Sequence, residues 1–265
     1  MSVDSIKNTF YVALGVCFFS SILVSTAAVG LKPIQDENKR IDKIKNILLA
    51  GDLYDEEMEV EEIYHKYIAA RVVNLETGEF IPDEKCDEPL KSANYDVKKI
   101  SQDPKYSRSL SQSEDLAGIK RSPTFMVIYE VVSDSTVDKY ILPIYGKGLW
   151  STLYGFLALG KDLKTIEGFT FYDHGESPGL GGEVDNPRWK KSWQGKQAYD
   201  EQGNVIIKVL KGAVDPSSSG ASHEIDGLSG STLTTRGVDN LVRFWMSDLG
   251  YGPLVENLKK GVSHE

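Results

Sequence analysis

The sequence predicts an α+β fold: a single N-terminal transmembrane helix, then a domain with a largely antiparallel sheet and flanking helices. Three observations carry this. The run from Thr9 to Leu31 contains no charged residue. Short segments rich in aromatic and β-branched residues crowd the middle of the chain, as strands do. Clear helical periodicity lies towards the two ends.

The apolar run comes first. At about 1.5 Å per residue it spans roughly the 30 Å of a bilayer core. A cleaved signal peptide is the competing reading, because "STAAVG" supplies small residues near a cleavage point. The run is long for such a leader and Lys7 alone makes a poor basic start, which favours a retained anchor. Lys32, Lys39, Arg40, Lys43 and Lys45 follow the span closely, and the positive-inside rule taken alone would leave the large domain in the cytoplasm.

Beyond Pro33 the spacing of Ile41, Ile44, Leu48 and Leu49 predicts a helix that Gly51 ends, and Met58, Ile63 and Tyr67 predict a second over Glu56 to Ala70. "ARVVNLETGEFIP" reads as a hairpin turning at Thr77-Gly78. Residues 83–120 lack a clear period and read as loop with short helical pieces. Strands are expected at Thr124–Ser133, Lys139–Gly146, "LYGFLAL", "TIEGFTFYDH" and residues 204–212. Val238, Leu241, Val242 and Trp245 then fall at helical spacing, with Gly250 as the expected stop.

Composition narrows the function. A formal net charge of −9 argues against a nucleic-acid surface, which should be basic. The acidic run "GDLYDEEMEVEE" reads as a solvated face. Cys17 sits in the apolar run and Cys86 in a polar region, so no intrachain disulfide is expected, and the four histidines show no metal-ligand spacing.

Three glycine-bearing loops stand out: "YGKGLWS" (Tyr145–Ser151), "YDHGESPGLGGEV" (Tyr172–Val184) and "DGLSGSTLTTRG" (Asp226–Gly237). None matches a dinucleotide fingerprint or a Walker loop. The third places hydroxyls where a helix begins. Those hydroxyls read either as helix caps or as carriers of a ligand, since free N–H groups there favour a phosphate. A hydrolase built on Ser229 or Ser231, with His174 or His223 as base, is a weaker alternative, because "GLSGS" departs from G-x-S-x-G at Ser231.

"DGLSGSTLTT" resembles the Asp-Gly-x-Ser/Thr-Gly-Ala-Thr motif on which a flavin transferase installs FMN as a phosphoester of threonine. Ser231 stands where that pattern has Ala. With "GKGLWS", "DHGESPGLGGEVDNPRW" and the N-terminal anchor, the chain resembles the NqrC family of the Na+-translocating NADH:quinone reductase. The resemblance implies covalent FMN on Thr232, with Ser229, Gly230 and Ser231 around it. Ser177, Gly179, Leu180 and Gly181 would shape the ring site, and Asp226 would serve transferase recognition or the turn. Lys147 reads either as a cation beside the flavin or as a surface lysine, and Trp150 as a ring contact or as core.

The implied division is a tail (1–8), a transmembrane helix (9–31), a helical and hairpin region packed on the flavin domain (32–120), the FMN-binding domain (121–258) and a tail (259–265). The implied protein is an electron-carrying subunit, not active alone, of a sodium-pumping complex in the bacterial inner membrane. Its large domain would be periplasmic, against the charge count. The other subunits, a flavin transferase and the membrane would be its partners, with no nucleic acid. The equivalent subunit of a ferredoxin–NAD electron-transport complex, or a cofactor-free assembly module, is the alternative.

Overall fold

A computed structural model describes residues 6–134 and 136–261. The expected terminal tails are therefore described only from Ile6 and up to Gly261, and His264 lies outside the described residues. The chain forms two units, residues 1–43 and residues 44–265.

Helix α1 (Ile6–Ala50) contains the whole apolar run. Its most apolar stretch has a mean hydropathy of 2.2 and no buried residue, so it is long and apolar enough to cross a membrane. The sequence predicts separate helices on either side of Pro33, but one helix runs through it. A proline removes a single N–H donor, and the flanking Leu31, Lys32, Gln35 and Glu37 favour helix. From Ile44 onward the helix belongs to the second unit, where Asn46, Ile47, Leu48 and Ala50 are buried.

That unit is built on a six-stranded sheet in the order β2-β1-β5-β6-β7-β8. The strands are β1 (Ile68–Asn74), β2 (Phe80–Ile81), β5 (Phe125–Ser133), β6 (Thr136–Lys147), β7 (Thr152–Gly160) and β8 (Ile166–Asp173). Every neighbouring pair is antiparallel. Two small pairs stand apart. One is antiparallel β3 (Ser107–Ser109) with β4 (Arg121–Pro123), and the other is parallel β9 (Lys208–Val209) with β10 (Glu224–Ile225). The helices are α2 (Val60–Tyr67), α3 (Val97–Ile100), α4 (Pro187–Lys191), α5 (Thr232–Met246) and α6 (Gly252–Lys259).

Several boundaries move, each for a local reason. The second helix is shorter than Glu56–Ala70, because Ile68–Ala70 pair with Tyr129–Val131 as the start of β1. The division expected at 120/121 falls inside one sheet, since β1 lies between β2 and β5. Residues 83–120 contain turns and short elements, yet Leu90, Tyr95, Val97, Ile100 and Tyr106 enter the core. The strand expected over 204–212 shrinks to Lys208–Val209, whose amides bond to His223 O and to the Asp239 carboxylate. Helix α5 ends at Met246, ahead of Gly250, and α6 follows with Pro253 at its start.

Two packings position the loops. Residues 44–51 lie against the sheet, with Gly51 beside Ile141 and Val131, and Asn46 bonded to the Thr170 hydroxyl at 2.9 Å. Helix α5 lies along β6. Leu241 touches Gly146, and the Trp245 indole N–H donates to Tyr145 O at 2.7 Å, just ahead of the "GKG" turn.

Candidate functional site

The three glycine-bearing loops meet, and the residue that joins them is Glu176. It sits in the loop after β8 and is only 6% exposed. Its Oε1 accepts the amides of Trp150 (2.9 Å) and Ser151 (3.1 Å) and the Ser151 hydroxyl (3.3 Å). Its Oε2 accepts the Leu149 amide (3.2 Å) and the hydroxyl of Thr234 on α5 (2.7 Å). Five donors thus converge on one carboxylate from two other loops. Burial pushes its pKa up, but the bonds from Thr234, Trp150, Ser151 and Leu149 outweigh that and hold it below the usual carboxylate value, so it is ionised. The expected site residues do not include Glu176. Its only trace in the sequence is an acid enclosed by "HG" and "SPG".

The Ser177–Gly182 segment turns tightly, with Ser177 O accepting the amides of Leu180 (3.1 Å) and Gly182 (2.9 Å). At Gly181 a Cβ would stand 2.6 Å from Thr234 Oγ1 and 2.8 Å from Glu176 Oε2, so only glycine lets this loop reach α5. Leu180 leans to within 3.4 Å of where a Cβ on Gly230 would lie. Gly230 itself has φ +73°, a turn conformation that suits glycine.

The hydroxyls of the third loop divide cleanly. Helix α5 does start there, as the capping reading expects, but Ser231 at its N-cap makes no side-chain cap bond. Thr235 Oγ1 accepts the Leu228 amide at 3.0 Å. Thr234 is held by Glu176, and Ser231 is buried. Thr232, the first helical residue, is exposed, and its hydroxyl has no hydrogen-bond partner among the described residues; Ser229 is exposed too. Asp226 serves the turn. Its carboxylate accepts the Val214 amide at 2.7 Å and its carbonyl accepts the Trp189 indole N–H at 2.8 Å.

Around Thr232 the loops present apolar side chains to solvent. Trp150 is 68% exposed, which excludes the core reading, and Leu149, Leu180 and Leu233 are also exposed. Lys147 is exposed, with its Nζ 3.3 Å from Trp150 O. The structure therefore brings the Lys147/Trp150 loop and the Ser177–Gly181 loop to the N-terminal end of α5, as the sequence implies.

His174 flanks the site. Its Nε2 lies 2.7 Å from Asp185 Oδ2, and its Nδ1 accepts the Glu176 amide at 3.2 Å. The Asp185 bond raises the imidazole pKa against the opposing effect of burial. A raised histidine pKa stabilises the fold fully below its ordinary value of about 6.5, and that contribution is lost as pH rises through the raised value. Asp185→Asn should therefore lower the His174 titration midpoint in NMR spectra of the imidazole C–H protons. Its stability deficit against wild type should be largest in acid and shrink above neutrality.

Comparison with known proteins places this architecture in the class of FMN-binding domains, whose family model matches residues 148–247. Curated relatives match over a longer span. The chain is 48% identical to the NqrC protein of the Na(+)-translocating NADH-quinone reductase of Pseudomonas aeruginosa, over 97% of this chain and 98% of that one. It is 42% identical to the corresponding protein of Vibrio parahaemolyticus, over 97% of each. The crystal structure of Shewanella oneidensis NqrC superposes with a TM-score of 0.75 at 31% identity, covering 84% of this chain and 99% of that one. The chain belongs to the NqrC family of the Na+-translocating NADH-quinone reductase.

Proposed function

We propose that this chain is the FMN-bearing, electron-carrying subunit of a sodium-pumping NADH:quinone oxidoreductase, with FMN held as a phosphoester on Thr232. The observation that carries the attachment point is the partition of hydroxyls on one turn. Thr234 and Thr235 are engaged and Ser231 is buried, whereas Thr232 stands exposed, with no partner among the described residues, at the start of a fifteen-residue helix.

The residues fit the group. The α5 N-terminus lacks a side-chain cap, which suits a phosphate there, because free N–H groups and the helix dipole favour an anion. Esterification replaces the hydroxyl hydrogen of Thr232 with the flavin's phosphoryl group. The exposed Trp150, Leu149, Leu180 and Leu233 offer apolar cover for a planar ring, and Lys147 places a cation on the same loop. Bound FMN supplies the electron-carrier chemistry, while the protein orients it and sets its surroundings. A covalent tether suits a carrier that must not dissociate.

Helix α1 anchors the subunit in the bacterial inner membrane as a single span, with the large domain in the periplasm. Long domains translocate despite flanking positive charge, so Lys32, Lys39, Arg40, Lys43 and Lys45 do not oppose this. Its partners are the other subunits of the complex, and a flavin transferase matures it. The test is peptide mapping of the full-length chain produced with and without that transferase. An FMN-sized mass increment on the peptide containing Thr232, present only with the transferase, is the expected result. No increment with a competent transferase would refute the reading.

A further inference from the structure

Building on the Thr232 reading, we infer that Glu176 is the positioning residue for the flavin-bearing threonine. One buried carboxylate holds the 149–151 backbone and Thr234 together, so that Thr232 alone offers a free hydroxyl in a fixed setting.

The geometry separates this from ordinary packing. Three consecutive amides, Leu149, Trp150 and Ser151, turn towards one carboxylate. Such a nest of N–H groups is an anion site. Here the chain fills it with its own side chain, which leaves the α5 N-terminus as the place for an external phosphate. The bond from Thr234 is the link between the two. Thr234 lies two residues after Thr232 and is 1% exposed, and its hydroxyl hydrogen is committed to Glu176 Oε2. The first turn of α5 is thereby fixed against the loop bearing Trp150, and the neighbouring threonine is withheld from modification. Ser151 extends the clasp, because its hydroxyl also accepts the Gly175 amide at 2.7 Å.

Both oxygens of Glu176 act as acceptors. In Glu176→Gln one of them becomes an NH2 donor facing either Thr234 and Leu149 or Trp150 and Ser151, so one half of the clasp must open. The side chain keeps its size.

The experiment measures the initial rate of flavin attachment at Thr232 by peptide mass spectrometry, on full-length chains exposed to equal transferase. Amide exchange of the 148–152 segment is read before loading. Glu176→Gln should load about tenfold more slowly than wild type, the scale on which small misplacements act on reaction rates. Its 148–152 amides should exchange faster, and a fraction of its flavin should appear on Thr234. Thr170→Val, which removes a buried hydroxyl bonded to Asn46 on another part of the sheet, is the stability control and should load at the wild-type rate.

Loading of Glu176→Gln at the wild-type rate and solely on Thr232 would overturn the proposal. So would equal slowing in Thr170→Val at a matched melting temperature. Should Glu176→Gln fail to fold, Thr234→Ser and Thr234→Val decide. The serine keeps the donor and should load several-fold faster than the valine, and equal rates would overturn the assignment. A wild-type chain that takes no flavin would instead refute the underlying reading, and this proposal with it.

Discussion

Thr232→Ala is expected to carry no covalent flavin after production with a competent transferase, while keeping its fold. Three neighbouring hydroxyls are poor substitutes for structural reasons. Ser231 is buried, Thr234 donates to Glu176, and Thr235 accepts the Leu228 amide. Ser229 is exposed, but it precedes Gly230, whose positive φ turns the chain before the helix begins. Fragmentation of the modified peptide would locate any residual increment, and one surviving on Ser229 would move the attachment point there. Thr232→Ser retains a hydroxyl at the same helical position and should still accept the group. Thr232 is exposed and its side chain makes no hydrogen bond among the described residues, so either substitution should change stability by about 0.5 kcal/mol or less. An unshifted melting curve together with a missing mass increment would separate a lost attachment point from a lost fold.

Much of this site was legible because its signals are local. The uncharged run, the aromatic strands and the hydroxyl-rich turn are each contiguous, and each marks its own element of the fold. The joining of the loops was not legible. Glu176 acts on amides some 25 positions away, and backbone N–H groups leave no mark in side-chain identity. A lone acid between glycines reads as an ordinary loop residue until the loops are seen to meet. The misplaced boundaries have the same origin. Ile68–Ala70 continue a helical pattern locally, but pairing with Tyr129–Val131 decides their conformation. Residues 204–212 read as a strand because of Val205, Ile206, Ile207 and Val209. Their apolar side chains do enter the core, with Ile207 and Val209 buried, but the backbone is satisfied by a loop and by Asp239.

Trp245→Ala should be the most destabilising single change near the site. Trp245 is fully buried on α5 and packs against Tyr145, Phe244 and Tyr251, with ring centroids 5.0, 5.3 and 5.5 Å away. Truncating a buried tryptophan costs about 3–5 kcal/mol through lost transfer energy and the cavity left behind. In a domain of this size that corresponds to a melting-temperature fall on the order of 10 °C, from roughly 2–4 °C per kcal/mol. The indole N–H adds a specific component, because it donates to Tyr145 O two residues before Lys147. Trp245→Phe keeps most of the apolar volume but leaves that carbonyl without its donor, a loss of about 1–3 kcal/mol. Calorimetric melting of the full-length chain should therefore rank wild type above Trp245→Phe, and Trp245→Phe above Trp245→Ala. The Trp245→Phe variant should also load flavin more slowly, because the strand end it releases carries the loop that Glu176 clasps. A phenylalanine variant as stable as wild type would mean that packing alone, without the N–H bond, seats α5 on β6.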